Sequence, residues 1–129
     1  MSLSLTQRRF DDTISAIEVS LDGAINLPDA RLLQKTLRHT VGQGYTTIVV
    51  NLRRVRDIDK AAWDCLVSAA RRLSKSGGHI ILRHCPDALF EQLLAHRWEH
   101  CFLMPERRAE DACALPRELR AWAMDKELD

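Results

Sequence analysis

The spacing of apolar residues changes period several times along the chain, and each change predicts an element. Near the N-terminus, "LSLTQRRF" and "ISAIEVSL" alternate as strands do. In the second, Ile14, Ala16, Val19 and Leu21 are apolar, with a slip of phase near Glu18. "DDT" between the two runs is turn chemistry, so they predict a hairpin. The period then lengthens. Leu32, Leu33, Thr36, Leu37, Thr40 and Val41 recur at helical spacing, with Asn26 placed to cap and Pro28 in the first turn. Gly42 and Gly44 end that helix.

"YTTIVVNL" is rich in β-branched residues and continuously apolar at Ile48, Val49 and Val50, as a strand covered on both faces would be. Helical spacing returns with Trp63, Leu66, Val67, Ala70 and Leu73, closed by "SGG". "HIILRH" predicts a short strand. "PDALFEQLLAH" predicts a helix with Leu89, Phe90, Leu93 and Leu94 inward. "HCFLM" predicts a last strand, and "PERRAEDACAL" a final helix that Pro116 kinks or ends. The order β-β-α-β-α-β-α-β-α implies an α/β fold: a mixed, mostly parallel sheet of four or five strands with about four helices. Residues 1–115 are expected to form one domain and 116–129 a helical extension or tail.

A chain of 129 residues fits one domain, and 46% hydrophobic residues can fill its core. The net charge of +1 argues against a general nucleic-acid binder. No apolar run approaches the ~20 residues needed to span a bilayer, and "MSLSLTQRRF" has no signal-peptide core. The four cysteines, Cys65, Cys85, Cys101 and Cys113, are scattered. They read as reduced and mostly buried thiols of a cytoplasmic protein.

Three patterns invite chemistry. "HRWEH" matches H-x-x-E-H, which would use His96 and His100 as zinc ligands and Glu99 as base in a small metal-dependent hydrolase. That chemistry needs both histidines on one helical face, and His96 lies near a predicted helix end with His100 beyond it. His84–Cys85 and His100–Cys101 could pair as base and nucleophile, but adjacent strand residues point to opposite faces. No Gly-rich phosphate loop exists, and no cofactor or metal is assigned. Arg53, Arg54 and Arg56, with Arg71, Arg72 and Lys75, are either a solvated face or a basic rim suited to an acidic partner or an anion.

Between the central strand and the second long helix stands "DIDKAAW". A loop leaving a parallel strand for a helix is a favoured place for binding or switching. With "VSLDGAIN" before it and "KAAWDCLVSAARRLSKSGGHIIL" after it, the chain resembles the STAS domain of bacterial anti-sigma-factor antagonists. The resemblance extends over roughly Leu3 to Leu115. Gly23, Ala24, Ile25 and Asn26 take the places of the family's G-E-L-D turn. The switch loop of the family reads D-S-S-G or D-S/T-x-G, and a partner kinase phosphorylates its first hydroxyl. Here Asp59 fits the acid, Lys60 falls on the phosphoacceptor, Ala61 on the next serine and Ala62 on the glycine. The resemblance therefore implies a non-catalytic, non-phosphorylatable regulator that binds an anti-sigma factor, kinase-like or other signalling protein. The implied surface comprises Asn26, Asp57, Asp59, Lys60, Trp63 and Asp64; Trp63 fits the core equally well. Asp59 is expected to cap the helix that Lys60 begins. A STAS subunit of a membrane transport assembly is the alternative within the family. A homodimer is compatible with either.

Overall fold

Asn26 caps the first long helix. Its Oδ1 accepts the Asp29 N–H at 3.3 Å, and the Asp29 carboxylate accepts the Asn26 N–H at 3.2 Å. This reciprocal box satisfies two backbone donors at once. The helix, α1 (Leu27–Gly42), is one of nine short elements in a computed structural model that describes residues 2–9, 15–113 and 115. The turn predicted at "DDT" and the extension predicted at 116–129 lie outside the described residues.

Two strands precede α1, β1 (Ser2–Arg9) and β2 (Ser15–Ile25). After it come β3 (Thr47–Ile58), α2 (Lys60–Lys75), β4 (His79–Arg83) and α3 (Asp87–Ala95). A 3₁₀ turn (Glu99–Cys101) and the short α4 (Ala109–Cys113) follow. The sheet order is β1-β2-β3-β4. β1 pairs antiparallel with β2, and β2, β3 and β4 are mutually parallel. This is the mixed α/β architecture that the element order predicts.

Each sheet face has its own core. Ile17, Val19, Leu21, Ile48, Val50, Leu52, Ile80 and Leu82 pack with the inner faces of α1 and α2. Ala16, Val49 and Ile81 point the other way and meet Leu115. Ala16 and Val19 are thus both buried, but on opposite faces, which explains the phase slip near Glu18. On that second face Glu18 of β2 accepts a hydrogen bond from the Arg83 guanidinium of β4 at 3.2 Å, with Arg83 only 3% exposed. Among described residues it is a charged pair bridging two strands across the one between them.

The central strand is longer than its apolar run. Ser20 pairs with Asn51 and Asp22 with Arg54, so two steps on β2 match three on β3. Gly23 pairs with Val55 and Ala24 with Asp57, so one step matches two. Each shift places one extra residue in β3, as a β-bulge does. Strict alternation is lost. Burial recurs at Leu52, Val55 and Ile58, and Arg53, Arg54, Arg56 and Asp57 are all exposed. The expected loop from Asp57 to Lys60 shrinks to one linking residue, Asp59.

Other expectations need correction. Gly23 lies within β2, at φ 90°, rather than in a turn after it. "HCFLM" forms no strand. Only Leu103 bridges Ile81, donating to the Ile80 carbonyl while its own carbonyl accepts from Leu82. Its neighbours are otherwise engaged. The Arg108 guanidinium takes the carbonyls of Glu99 and Phe102 at 2.7 and 2.6 Å, and the Asp111 carboxylate accepts the Met104 N–H at 2.9 Å. Within helices, Leu32 is 52% exposed and Leu94 46%, because each sits beside a leucine that takes the buried position. Of the cysteines, Cys85 is buried, Cys65 and Cys101 are half-buried and Cys113 is exposed; all four are free thiols.

Gly78 marks where α2 returns to the sheet. A Cβ built there would stand 2.3 Å from the Thr46 carbonyl oxygen and 2.7 Å from Leu73 Cγ. Gly78→Ala should therefore destabilise the fold by about 1–3 kcal/mol, through backbone displacement. Gly42→Ala, with nothing within 4 Å of the new methyl, should be neutral or stabilise by about 0.4–1 kcal/mol. Urea unfolding of the two variants checks the contrast.

Candidate functional site

The parallel strands β2 and β3 end together, with Ile25 beside Ile58, and the Asp59 N–H donates to the Ile25 carbonyl at 2.9 Å. That bond brings the starts of α1 and α2 to the same edge of the sheet. Asn26 stands at one N-cap and Asp59 at the other. The two caps differ. The Asn26 side chain is committed to its capping box. Asp59 has extended backbone (φ −63°, ψ 154°) but makes no side-chain capping bond, contrary to expectation, and α2 has no acid in its first turn. Lys60 is the first helical residue and is exposed. The start of α2 thus combines uncapped N–H groups, the positive end of the helix dipole and a lysine. Lysine there is unfavourable by about 0.3–1 kcal/mol when exposed.

Asp57 is exposed on β3 and is held from the side. Gln92 of α3 donates its amide N–H to Asp57 Oδ1 at 3.3 Å, and its amide oxygen accepts the Trp63 indole N–H at 2.8 Å. The indole can only donate and a carboxylate can only accept, so the two partners fix the amide orientation. Trp63 itself is 1% exposed, and its ring lies 6.2 Å from that of Phe102. It belongs to the core beneath the surface rather than to the rim. Asp64 is exposed one turn after Lys60. Of the six residues singled out by sequence, five therefore reach the surface at or near one sheet edge, and Trp63 supports them from below. Gln92 was missed. An isolated glutamine on a helix carries no sequence signal for a contact with a strand 35 residues earlier.

The alternative chemistries find no matching geometry. α3 ends at Ala95, and Arg97 takes φ 58°, so His96 and His100 do not share a helical face. His96 stacks on Trp98 at 4.6 Å, and His100 is mainly solvent-exposed. Among the described residues no three His, Cys, Asp or Glu side chains gather as metal ligands. At the carboxyl end of β4, Leu82, His84, Cys85, Met104, Glu106 and Arg107 line a cavity of about 200 Å³. Its polar groups hold one another. His84 takes φ 58°, its N–H donates to Glu106 at 2.7 Å and its ring Nδ1 lies 3.3 Å from the same carboxylate. Arg107 donates to the Cys85 carbonyl and to Asp87 at 2.6 and 2.7 Å, and covers the Phe90 ring. Burial pushes the Cys85 thiol up to about 11, with Arg107 opposing. It is no thiolate nucleophile near neutral pH. His84 and Cys85 form a structural clamp.

The family described as Mlab, STAS domain matches residues 9–105. The chain belongs to it.

Solved structures agree on the fold. This STAS domain is similar to the anti-sigma factor antagonist SpoIIAA in its unphosphorylated form, at 16% identity, covering 86% of this chain and 96% of that one, with a TM-score of 0.61. An anti-sigma factor antagonist from Mycobacterium paratuberculosis gives 18% identity, 86% and 93% coverage and a TM-score of 0.60. A sulfate transporter family protein from Wolinella succinogenes gives 19%, 66% and 69%, and 0.58. Comparison with curated protein sequences finds no significant match. No helix among the described residues is long and apolar enough to cross a membrane.

Two outcomes test the packing of this STAS domain. Trp63→Phe removes the donor that orients Gln92 and should cost about 0.5–1.5 kcal/mol in urea unfolding. Cys85 should also make stability depend on alkaline pH. Its folded value, about 11, lies above the ordinary 9.0, so its contribution is complete below about pH 9. As pH rises from about 9 to 11 the unfolded thiol ionises first and that contribution is lost. The stability difference between wild type and Cys85→Ala, measured across this range, should narrow.

Proposed function

We propose that this STAS domain is a non-catalytic regulatory protein of the bacterial cytoplasm that works by binding another protein. The observation that carries the reading is the start of α2: Lys60 is exposed on the sheet edge where the family's phosphoacceptor hydroxyl is expected. SpoIIAA has been solved in unphosphorylated and phosphorylated forms. Lysine offers no hydroxyl, and its charge is opposite to that of a phosphate, so this domain is permanently in a dephosphorylated-like state at that position. Asn26, Asp57, Asp59, Lys60 and Asp64 form the contact surface, with Trp63 and Gln92 holding it in shape. The partner is an anti-sigma factor, a kinase-like protein or a related signalling protein, engaged without ATP-dependent release.

A second reading places the domain as a subunit of a membrane transport assembly. The likeness to a sulfate transporter family protein favours it, and it uses the same surface. The two readings differ in the partner's class, so capture from the native host with identification of the bound protein separates them.

The test is a titration. Lys60→Glu should weaken binding to the captured partner by more than about 1 kcal/mol, and wild-type affinity should fall with added salt. A family-type kinase with ATP should leave residue 60 unmodified by mass spectrometry. Lys60→Ser with Ala62→Gly restores the usual loop chemistry and should become the substrate. Equal affinities of wild type and Lys60→Glu, at low salt and at high salt, would remove Lys60 from the interface.

A further inference from the structure

Charge is balanced over the chain but not along it. Between residues 30 and 75 stand ten Lys and Arg against three acids, Asp57, Asp59 and Asp64, while the whole chain nets +1. All ten cations are exposed. Six lie on the two helices that cover one sheet face: Arg31, Lys35 and Arg38 on α1, and Arg71, Arg72 and Lys75 on α2. Among the described residues none of these six forms an ion pair. The helix dipole explains Arg72 and Lys75, which lie in the last turn of α2. It does not explain Arg31 and Lys35, in the second turn and at the middle of α1 and spaced i,i+4, where like charges oppose the helix.

A notch opens between the same helices. Leu37, Val41, Cys65 and Ala69 give it apolar walls, and Arg38 and Arg72 flank it. About 90 Å³ is open, less than the ~150 Å³ cavity that admits benzene, so it suits one aliphatic side chain. Burial first, then Asp64, raises the Cys65 thiol, with Arg38 opposing.

We infer that the α1–α2 groove receives an acidic amphipathic helix of the partner protein, with one aliphatic residue in the notch and carboxylates against Arg38 and Arg72. The chemistry of the occupant follows from the groove: an apolar floor between two guanidiniums is complementary to a helix with Leu or Ile flanked by Asp and Glu at i±3 or i±4. Arginine also presents the fork that a carboxylate matches. The inference rests on the contact-based function proposed above and supplies a recognition element that the switch position lacks. Lys60 begins the helix that forms one wall of the groove, so a single partner could engage both.

The test uses the full chain and a fluorescein-labelled amphipathic peptide of Leu, Ala and Glu, about five helical turns long. A twin peptide carries Lys in place of Glu, and vesicles of phosphatidylglycerol provide an anionic lipid surface. Anisotropy reports binding. Alkylation at pH 8.5 in a Cys101→Ala, Cys113→Ser background reports whether Cys65 is covered, because Cys85 is buried. The acidic peptide should bind at least tenfold more tightly than its twin and slow Cys65 alkylation at least fivefold. Arg38→Glu with Arg72→Glu should abolish the difference between the peptides. Ala69→Leu fills the notch without changing charge and should weaken the acidic peptide at least fivefold; if the double charge variant does not fold, Ala69→Leu and Arg38→Gln decide. Equal binding of the two peptides, unprotected Cys65, or full affinity in folded Ala69→Leu would overturn the inference. So would preferential binding to the vesicles, or self-association in sedimentation that Ala69→Leu dissolves, since each assigns the groove to another occupant. Failure of the switch-surface reading shows as equal partner affinities of wild type and Lys60→Glu, and failure here as equal binding of the two peptides to the wild-type chain, so the two can be told apart.

Discussion

β3 must be buried on both faces and still end at a surface, and the rest of the structure follows from how it does so. Ile48, Val49, Val50 and Leu52 are fully buried, alternately feeding the helix-covered core and the smaller core around Leu115. Fully burying each such side chain is worth about 1.5–3 kcal/mol. That burial fixes the register of β2 and β4 on either side, because a one-residue slip would turn every side chain to the wrong face. Past Asn51 the strand has β2 as its only paired neighbour among the described strands, and two extra residues are accommodated by bulging. The bulges replace alternation with a run in which one residue in three is buried. Three arginines and Asp57 are thereby turned outward while Leu52, Val55 and Ile58 continue the core.

The same strand end joins the sheet to the starts of both long helices. The Asp59 N–H bonded to Ile25 locks the β3–α2 junction against the β2–α1 junction, so the two helix starts share one edge. Asn26 spends its side chain on its own helix, and Asp59 does not. An uncapped helix start carrying a lysine is locally unfavourable on both counts, the missing cap and the dipole. Beneath it, Trp63 and Gln92 hold Asp57 from α3, so a surface defined by three elements is rigid without being large.

The clamp around β4 shows why polar residues in a cavity need not act chemically. His84, Glu106, Arg107 and Asp87 engage one another, and the Cys85 thiol is held protonated by burial. Arg108 does the same for the segment that fails to become a strand, gathering the carbonyls of Glu99 and Phe102. Guanidiniums that satisfy backbone carbonyls take the place of a regular ladder at this end of the sheet.

Much was legible in the sequence because it depends on local chemistry. Apolar periodicity placed three helices and the hairpin-plus-parallel order, since burial of one face sets the period directly. Asn26 and Pro28 marked the start of α1 through hydrogen bonds and dihedrals confined to one turn. Lys60 was placed at the start of α2 by the family resemblance of "DIDKAAW", whose loop stands just before the helical spacing begins at Trp63. Tertiary structure alone decided what depends on distant partners. β3 continues to Ile58 because β2 offers a register that accepts two bulges, so charged residues that read as a loop became strand. "HCFLM" lost its strand to an arginine and an aspartate that follow it. Trp63 turned inward because the helix stripe it shares with Leu66 and Val67 faces the sheet, while Gln92, silent in the sequence, was brought to it from α3. Periodicity records how much of a residue is buried; which groups meet there is set by contacts between elements far apart in the chain.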